Sequence, residues 1–224
     1  MAPTALRKQS RKPAAAADKA PSGAAREILD AGAWLLRHRG YEATTTRAIA
    51  ERVGIKAGSI YHHFRSKDAI VQHVLDDGVR IVGDAVLGEL GALPKQAPPL
   101  QRLAVAVRTH LLASLEGGDY VSASIRAFAF LPKDLRRNCR VERRRYEDIW
   151  RKLIAEAARA GHVPKGVSPD AARLMLLGAL NWAGEWYRPG GLSIDEISAS
   201  YMKLAFGQAA AAARRRTPAT KPRA

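Results

Sequence analysis

The sequence predicts an all-α protein, and three observations carry that prediction. Hydrophobic residues fill 47% of the 224 positions but aromatics only 6%, an alanine- and leucine-rich balance. Apolar residues recur at steps of three and four, the period of one helix face. No run of alternating β-branched and aromatic residues is bounded by a hairpin dipeptide such as Asn-Gly. The length suffices for one sizeable core or two small ones.

Taken in order, residues 1–22 are rich in Ala, Pro and basic residues with almost nothing to bury, and read as a disordered basic arm. From Gly23, the apolar residues Ile28, Ala31, Gly32, Leu35 and Leu36 make the face of a first helix that Gly40 ends. Thr45 or Thr46 can cap a second helix containing Ile49, Ala50 and Val53, and Gly54 stops it. A third short helix is expected from residue 57 to about residue 64. Ser66 caps a longer fourth helix towards Leu90, with Asp68 in its first turn to suit the helix dipole. The prolines of GALPKQAPP then break the chain. Beyond them the expected helices cover residues 100–115, 119–130 and 132–160, the last long and highly charged. Ser168, a proline and an acid open another helix, and the capping box of residues 193–196 opens the last, to about residue 210. The plan is about nine helices: a helix-turn-helix unit over 23–68, a larger helical unit over 69–207 and a basic tail over 208–224.

The formal charge of +16 is unevenly spread. Arg7, Lys8, Arg11, Lys12 and Lys19 crowd one end, and Arg214, Arg215, Arg216, Lys221 and Arg223 crowd the other. Such ends raise affinity for any polyanion without selecting a sequence, and an anionic membrane surface is served as well as nucleic acid. Cys139 is the single cysteine, which excludes an intrachain disulfide and with it a secreted disulfide scaffold. No apolar run approaches the roughly 20 residues of a membrane span, and no apolar segment follows the basic N-terminus as in a secretory signal. A cytoplasmic protein without a membrane partner is expected. The nucleophile elbow, the P-loop and the dinucleotide fingerprint are all absent, so neither an enzyme nor a cofactor is expected.

In a helix-turn-helix, Ile49, Val53, Ile55, Ile60 and Phe64 would face inward. Outside remain Thr46, Arg47, Lys56, Ala57, Gly58, Ser59, Tyr61, His62, His63 and Lys67, with no acid among them. Hydroxyls, lysine, tyrosine and helix N-termini hold phosphates, while the first turns of a helix in the major groove read base edges. Ala57 and Gly58 are small enough to let the backbone approach DNA. A plain solvated face is the competing reading; the turn length, the small residues and the missing acids favour a DNA contact. His62 and His63 point about 100° apart round a helix and are poorly placed to share a metal ion, so no metal site is expected. The scattered His38, His73, His110 and His162 read as surface or satisfied histidines.

The segment REILDAGAWLLRHRGYEATTTRAIAERVGIKAGSIYHHFRSKDAIVQHVL resembles the N-terminal DNA-binding domain of TetR-family transcriptional regulators. RGYEATTTRAIAERVGI and GSIYHHFRSKDAI are its most specific parts. The resemblance implies an all-α homodimer, a near-palindromic DNA operator and a C-terminal domain whose small-molecule ligand releases DNA. It also implies phosphate and base contacts from Thr46 and Arg47, base-edge contacts from Ser59 and His62, and phosphate grips from Tyr61, His63 and Lys67. Three positions depart from the family pattern. Ala33 replaces a usual large apolar residue and Trp34 a usual polar one, while Ala57 stands where a lysine is often found.

Further along, Arg126 lies in the apolar stretch SASIRAFAF and needs an acidic partner or an anionic ligand. RVERRRYEDIWRKL reads as an exposed face of local ion pairs, with Tyr146, Ile149, Trp150 and Leu153 as its buried stripe. Cys139 sits among arginines that would depress its pKa and make it a redox sensor, or has no such role. Trp182 and Trp186 are core or dimer-interface aromatics, or ligand contacts. LLGALNWAGEWYRPGG resembles the end of TetR-type regulators of fatty-acid, sterol or related acid catabolism that sense acyl-CoA thioesters. That resemblance implies Arg126, Phe130, Tyr146, Trp150, Trp182 and Trp186 as contacts of a large, mostly apolar, anionic effector. Residues 168–187 and 193–210 would pair with their copies across a two-fold dimer interface. The expectation is a repressor released by a small molecule such as an acyl-CoA. Its alternative is a non-specific nucleic-acid-binding or chromosome-organising protein acting through its basic tails.

Overall fold

The computed structural model describes residues 23–214, with side chains through residue 207. The arm expected over 1–22 and the side chains of the tail expected over 208–224 lie outside the described residues. Within them are α1 (Gly23–Ala43), α2 (Thr46–Val53), a 3₁₀ helix (Ala57–His62), α3 (Lys67–Ala92), α4 (Pro99–Glu116) and α5 (Gly118–Arg126). A second 3₁₀ helix (Phe128–Phe130), α6 (Lys133–Asn138), α7 (Arg140–Arg159), α8 (Pro169–Trp186) and α9 (Ile194–Arg214) complete the order. No strand forms among the described residues.

Most helix ends follow from local chemistry. Thr45 Oγ1 accepts the Ala48 N–H at 3.1 Å, Ser66 Oγ that of Ala69 at 3.1 Å and Ser168 Oγ that of Ala171 at 3.1 Å. Ser193 and Glu196 cap reciprocally: the Ser193 N–H donates to Glu196 Oε2 at 2.8 Å and the Glu196 N–H to Ser193 Oγ at 3.2 Å. Gly54 ends α2 in the left-handed conformation, φ 79°, which returns its N–H to Ala50 and Glu51 carbonyls. Gly40, φ 75°, interrupts the regular turns of α1 at the expected place.

Three elements differ from expectation. The third helix is wound as 3₁₀ over Ala57–His62, closed by three-residue bonds from the Ser59 N–H to the Lys56 carbonyl and from His63 to Ile60, a winding common in short pieces. The helix expected over 119–130 stops at Arg126 and continues as the 3₁₀ turn before Pro132. The long charged helix expected over 132–160 breaks at Cys139, and Pro132 caps α6 instead of entering its first turn. The break has a packing reason. Leu131, Leu135 and Cys139 are buried in one core, whereas Trp150, Leu153 and Ile154 are buried in another, and the break lets the two segments face different cores.

Those two cores share α3. Its first half, with Ile70, Val71, Val74 and Leu75, packs with α1, α2 and the first 3₁₀ helix, and Tyr120, Ala123 and Leu135 join the same core from α5 and α6. Val86, near its far end, packs with Leu103, Val107 and Leu111 of α4, Trp150 of α7, Leu180 of α8 and Phe206 of α9. Where α3 crosses α5, a Cβ on Gly78 would lie 2.3 Å from the Tyr120 carbonyl oxygen, so only glycine lets the two backbones approach this closely.

Candidate nucleic-acid interface and effector cavity

The helix-turn-helix sorts its side chains as the pattern predicts. Ile49 and Ile60 are fully buried and Phe64 nearly so, with Val53 and Ile55 partly buried on the same core. Arg47, Lys56, Ala57, Gly58, Tyr61, His62 and His63 are exposed, and Thr46, Ser59 and Lys67 are half-buried at the same surface. Lys67 Nζ stands 3.8 Å over the Tyr41 ring, a cation–π contact that positions the ammonium group. The adjacent Asp68 carboxylate is taken up by the Tyr41 hydroxyl at 2.7 Å. Burial first, then Asp68, pushes that hydroxyl up to about 12, so it stays a donor at any physiological pH.

Trp34, the departure in α1, has a structural use. The Arg52 guanidinium lies 3.6 Å over its ring and Arg39 reaches it at 5.7 Å, so the indole ties α2 to α1. Ala33 is fully buried, filling its place in the core with a small side chain.

A second site opens in the other half of the molecule. A cavity of about 260 Å³ lies between α3, α4, α5, α7 and α8, with Val79, Val82, Ile125 and Leu177 as apolar walls. Its polar wall includes His110, Ser114, Arg143, Tyr146 and Asn181, together with the paired Glu147 and Arg173. His110, 2% exposed, has Nδ1 2.6 Å from the Tyr146 hydroxyl. Its Nε2 makes no hydrogen bond within the protein although Asn181 stands close by. Burial lowers the His110 pKa to about 4, so the ring is neutral near pH 7. Ser114 Oγ and Arg143 Nε are likewise buried without partners. Arg143 donates from Nη2 to the Ser124 carbonyl at 2.7 Å and lies 4.0 Å over the Phe128 ring. A neighbouring cavity of about 370 Å³ shares Ser114, Ile125 and Asn181 with the first and adds Arg37, Arg126 and Glu185. Arg126 Nε meets Glu185 Oε1 at 2.9 Å, which is the acidic partner its apolar segment called for.

Two family models match this chain. Residues 28–74 fit "Bacterial regulatory proteins, tetR family" and residues 96–209 fit "Tetracyclin repressor-like, C-terminal domain". The chain belongs to the TetR family of bacterial regulatory proteins. It is 29% identical over 194 residues to the HTH-type transcriptional repressor KstR2 of Mycolicibacterium smegmatis, covering 84% of this chain and 91% of that one. The fatty acid metabolism regulator protein of Bacillus subtilis is 22% identical, over 69% of this chain and 78% of its own. In fold the chain is similar to AibR, solved in complex with isovaleryl coenzyme A and operator DNA. The TM-score is 0.71 at 24% identity, over 81% of this chain and 97% of that one.

As a TetR-family member the protein is a ligand-responsive, DNA-binding transcriptional regulator, and the relatives named here are regulators rather than enzymes. No helix among the described residues is long and apolar enough to cross a membrane. The structure distributes the six candidate effector contacts unevenly. Tyr146 lines the inner cavity and Arg126 the outer one. Trp150 is fully buried behind the inner cavity, edge-on to His110 at 5.7 Å and to Tyr146 at 6.2 Å. Phe130 is 80% exposed and lines neither cavity, and Trp182 and Trp186 are exposed on α8, also outside both.

Three readings are corrected. His110 is neither a surface histidine nor a fully satisfied one, because burial between α4 and α7 leaves one ring nitrogen without a hydrogen bond. Arg143, which the charged pattern of α7 assigned to a solvated face, is drawn into the same wall. Cys139 is also unlike the arginine-activated thiol its neighbours suggested. Burial, reinforced by Asp76, pushes its pKa up to about 12, so the group is a protonated core thiol.

Proposed function

We propose that the protein is a homodimeric repressor of the bacterial cytoplasm, released from a near-palindromic operator when an acyl-CoA thioester binds its C-terminal half. The observation that carries this reading is the coexistence of a helix-turn-helix whose ten outward candidates include no acid and a half-polar cavity joined through α5. Thr46 and Arg47 meet phosphate and base, Ser59 and His62 read base edges, and Tyr61, His63 and Lys67 hold phosphates, with Lys56 basic beside the small Ala57 and Gly58. The inner cavity has room for an acyl group but not for a nucleotide. The outer cavity, with Arg37 and Arg126, suits the anionic remainder of such a ligand.

Coupling runs through α5. Arg37 of α1, which lines the outer cavity, donates to Asp119 of α5 at 2.8 Å, and the Tyr120 hydroxyl of α5 donates to Asp30 of α1 at 2.7 Å. A ligand that recruits Arg37 loosens this tie and shifts the two reading heads from the roughly 34 Å spacing of successive major grooves. The ligand must favour the DNA-incompetent arrangement for this to release DNA. Support for the dimer comes from the apolar face left open on α8 and α9, where Met175 is 73%, Trp182 65% and Leu204 82% exposed.

Gel-shift competition tests the function. Binding should prefer a palindrome near the protein's own gene over random DNA, and acyl-CoA should release it. Equal competition by random DNA would instead support the non-specific, tail-driven alternative.

A further inference from the structure

The polar atoms of the inner cavity are out of balance. His110 Nε2, Ser114 Oγ and Arg143 Nε are all buried and all lack partners, and Arg143 can only donate. Among the described residues, no carboxylate lies within 4.0 Å ion-pair distance of the Arg143 guanidinium, and Glu147 and Asp76 act on its charge only from beyond that distance. Glu147, the one acid in the wall, is held by Arg173 at 3.5 Å. A guanidinium keeps its proton, so one in a cavity wall with no carboxylate in contact can receive an anion. The remaining walls, Val79, Val82, Ile125 and Leu177, call for an apolar body behind that anion.

We propose that the part of the effector entering the inner cavity carries a carboxylate, received by Arg143, Ser114 Oγ and His110 Nε2. A planar carboxylate matches the open edge of the guanidinium and leaves an oxygen for the two other donors. His110 then carries its proton on Nε2 and accepts the Tyr146 hydroxyl at Nδ1. The direction of insertion follows from exposure: His110 is 2% exposed, so the charged end goes in first and the rest of the ligand extends towards the outer cavity. On an acyl-CoA this is a carboxylate at the far end of the acyl chain, a dicarboxylic monothioester. The inference rests on reading the cavity as the effector site, and only its thioester form rests on the coenzyme A proposal.

Calorimetric titration of the full chain with two matched pairs tests it: octanoate against octanamide, and the monothioester of suberic acid with coenzyme A against octanoyl-CoA. The acid member of each pair should bind about tenfold tighter, as a charge-assisted hydrogen bond warrants. Arg143→Gln and Ser114→Ala should each erase most of that preference, and Arg143→Lys should retain part of it. Melting temperatures separate a misfolded variant from an informative one. Binding of acid and neutral members within about twofold overturns the proposal, as does an unchanged preference in the folded Ser114→Ala and Arg143→Lys variants, or no binding of any probe at millimolar concentration. Preference for octanoate with no thioester binding upholds the carboxylate site and removes the coenzyme A reading. Equal binding of both thioesters does the reverse.

Discussion

The outer surface of the helix-turn-helix offers its polar groups to water, with Tyr61 58% exposed, whereas the cavity withdraws them, with His110 2% exposed. On the surface each group is independently solvated before it meets DNA, so contacts are separable and their loss is graded. In the cavity each group depends on the others, because an orphaned buried donor or acceptor has no water to fall back on. The same types of residue therefore carry different risks in the two halves. Between them stands the crossing of α3 and α5, on which both depend.

That crossing gives the largest expected effect. Gly78→Ala forces a Cβ towards the Tyr120 carbonyl and should destabilise the protein by about 3 kcal/mol in denaturant unfolding. If the two halves are energetically separate, the variant will melt in two steps; a single shifted transition shows that they share one unit. Next comes Tyr146→Phe, which strips His110 Nδ1 of its partner inside the cavity and should lower stability by about 2 kcal/mol while leaving operator affinity intact. On the surface, Arg47→Ala should weaken operator binding by about 1 to 2 kcal/mol and reduce the salt slope by about one, with an unchanged melting temperature. A fall in stability instead would show that Arg47 is part of the packing. Thr45→Ala removes the cap of α2 and should cost about 1 kcal/mol of stability.

The pH response sharpens the contrast most finely. His110, lowered to about 4 by burial, contributes stability that is present above its unfolded value near 6.5 and lost as pH falls through 4. Asp76, raised to about 6 chiefly by burial, contributes stability that is present below its unfolded value and lost as pH rises through 6. Between about pH 4 and 6 the two trends oppose each other. Asp76→Asn should leave the His110 trend alone, so acidification from pH 7 to pH 4 should lower the denaturant midpoint more steeply than in the parent. A midpoint less sensitive to acid in the variant would contradict this assignment.

Local signals were legible along the chain because they act over three or four residues. Thr45, Ser66, Ser168 and the Ser193–Glu196 box all cap as their spacing suggests, and Gly54 turns the chain where expected. The outward set of the helix-turn-helix was legible for the same reason: subtracting five inward residues from a short, punctuated segment leaves the exposed and half-buried ones. Arg126 was half legible, since its apolar surroundings demanded a partner but could not name Glu185, 59 residues away. Arg143 and His110 gave no such signal. A histidine amid leucines and an arginine amid arginines look ordinary until three helices close around them.

By itself, the sequence determined where helices begin and end, which face of the second and third elements looks outward, and which family the chain resembles. Those properties come from hydrogen bonds and hydrophobic periodicity within a few turns. Only the tertiary structure decided that α3 is shared by two cores, that the long charged helix breaks at Cys139, and that Arg143 Nε becomes a buried donor without a hydrogen-bond partner. Each of these depends on desolvation by residues distant in the chain. Burial belongs to the assembled helices, and no stretch of sequence contains it.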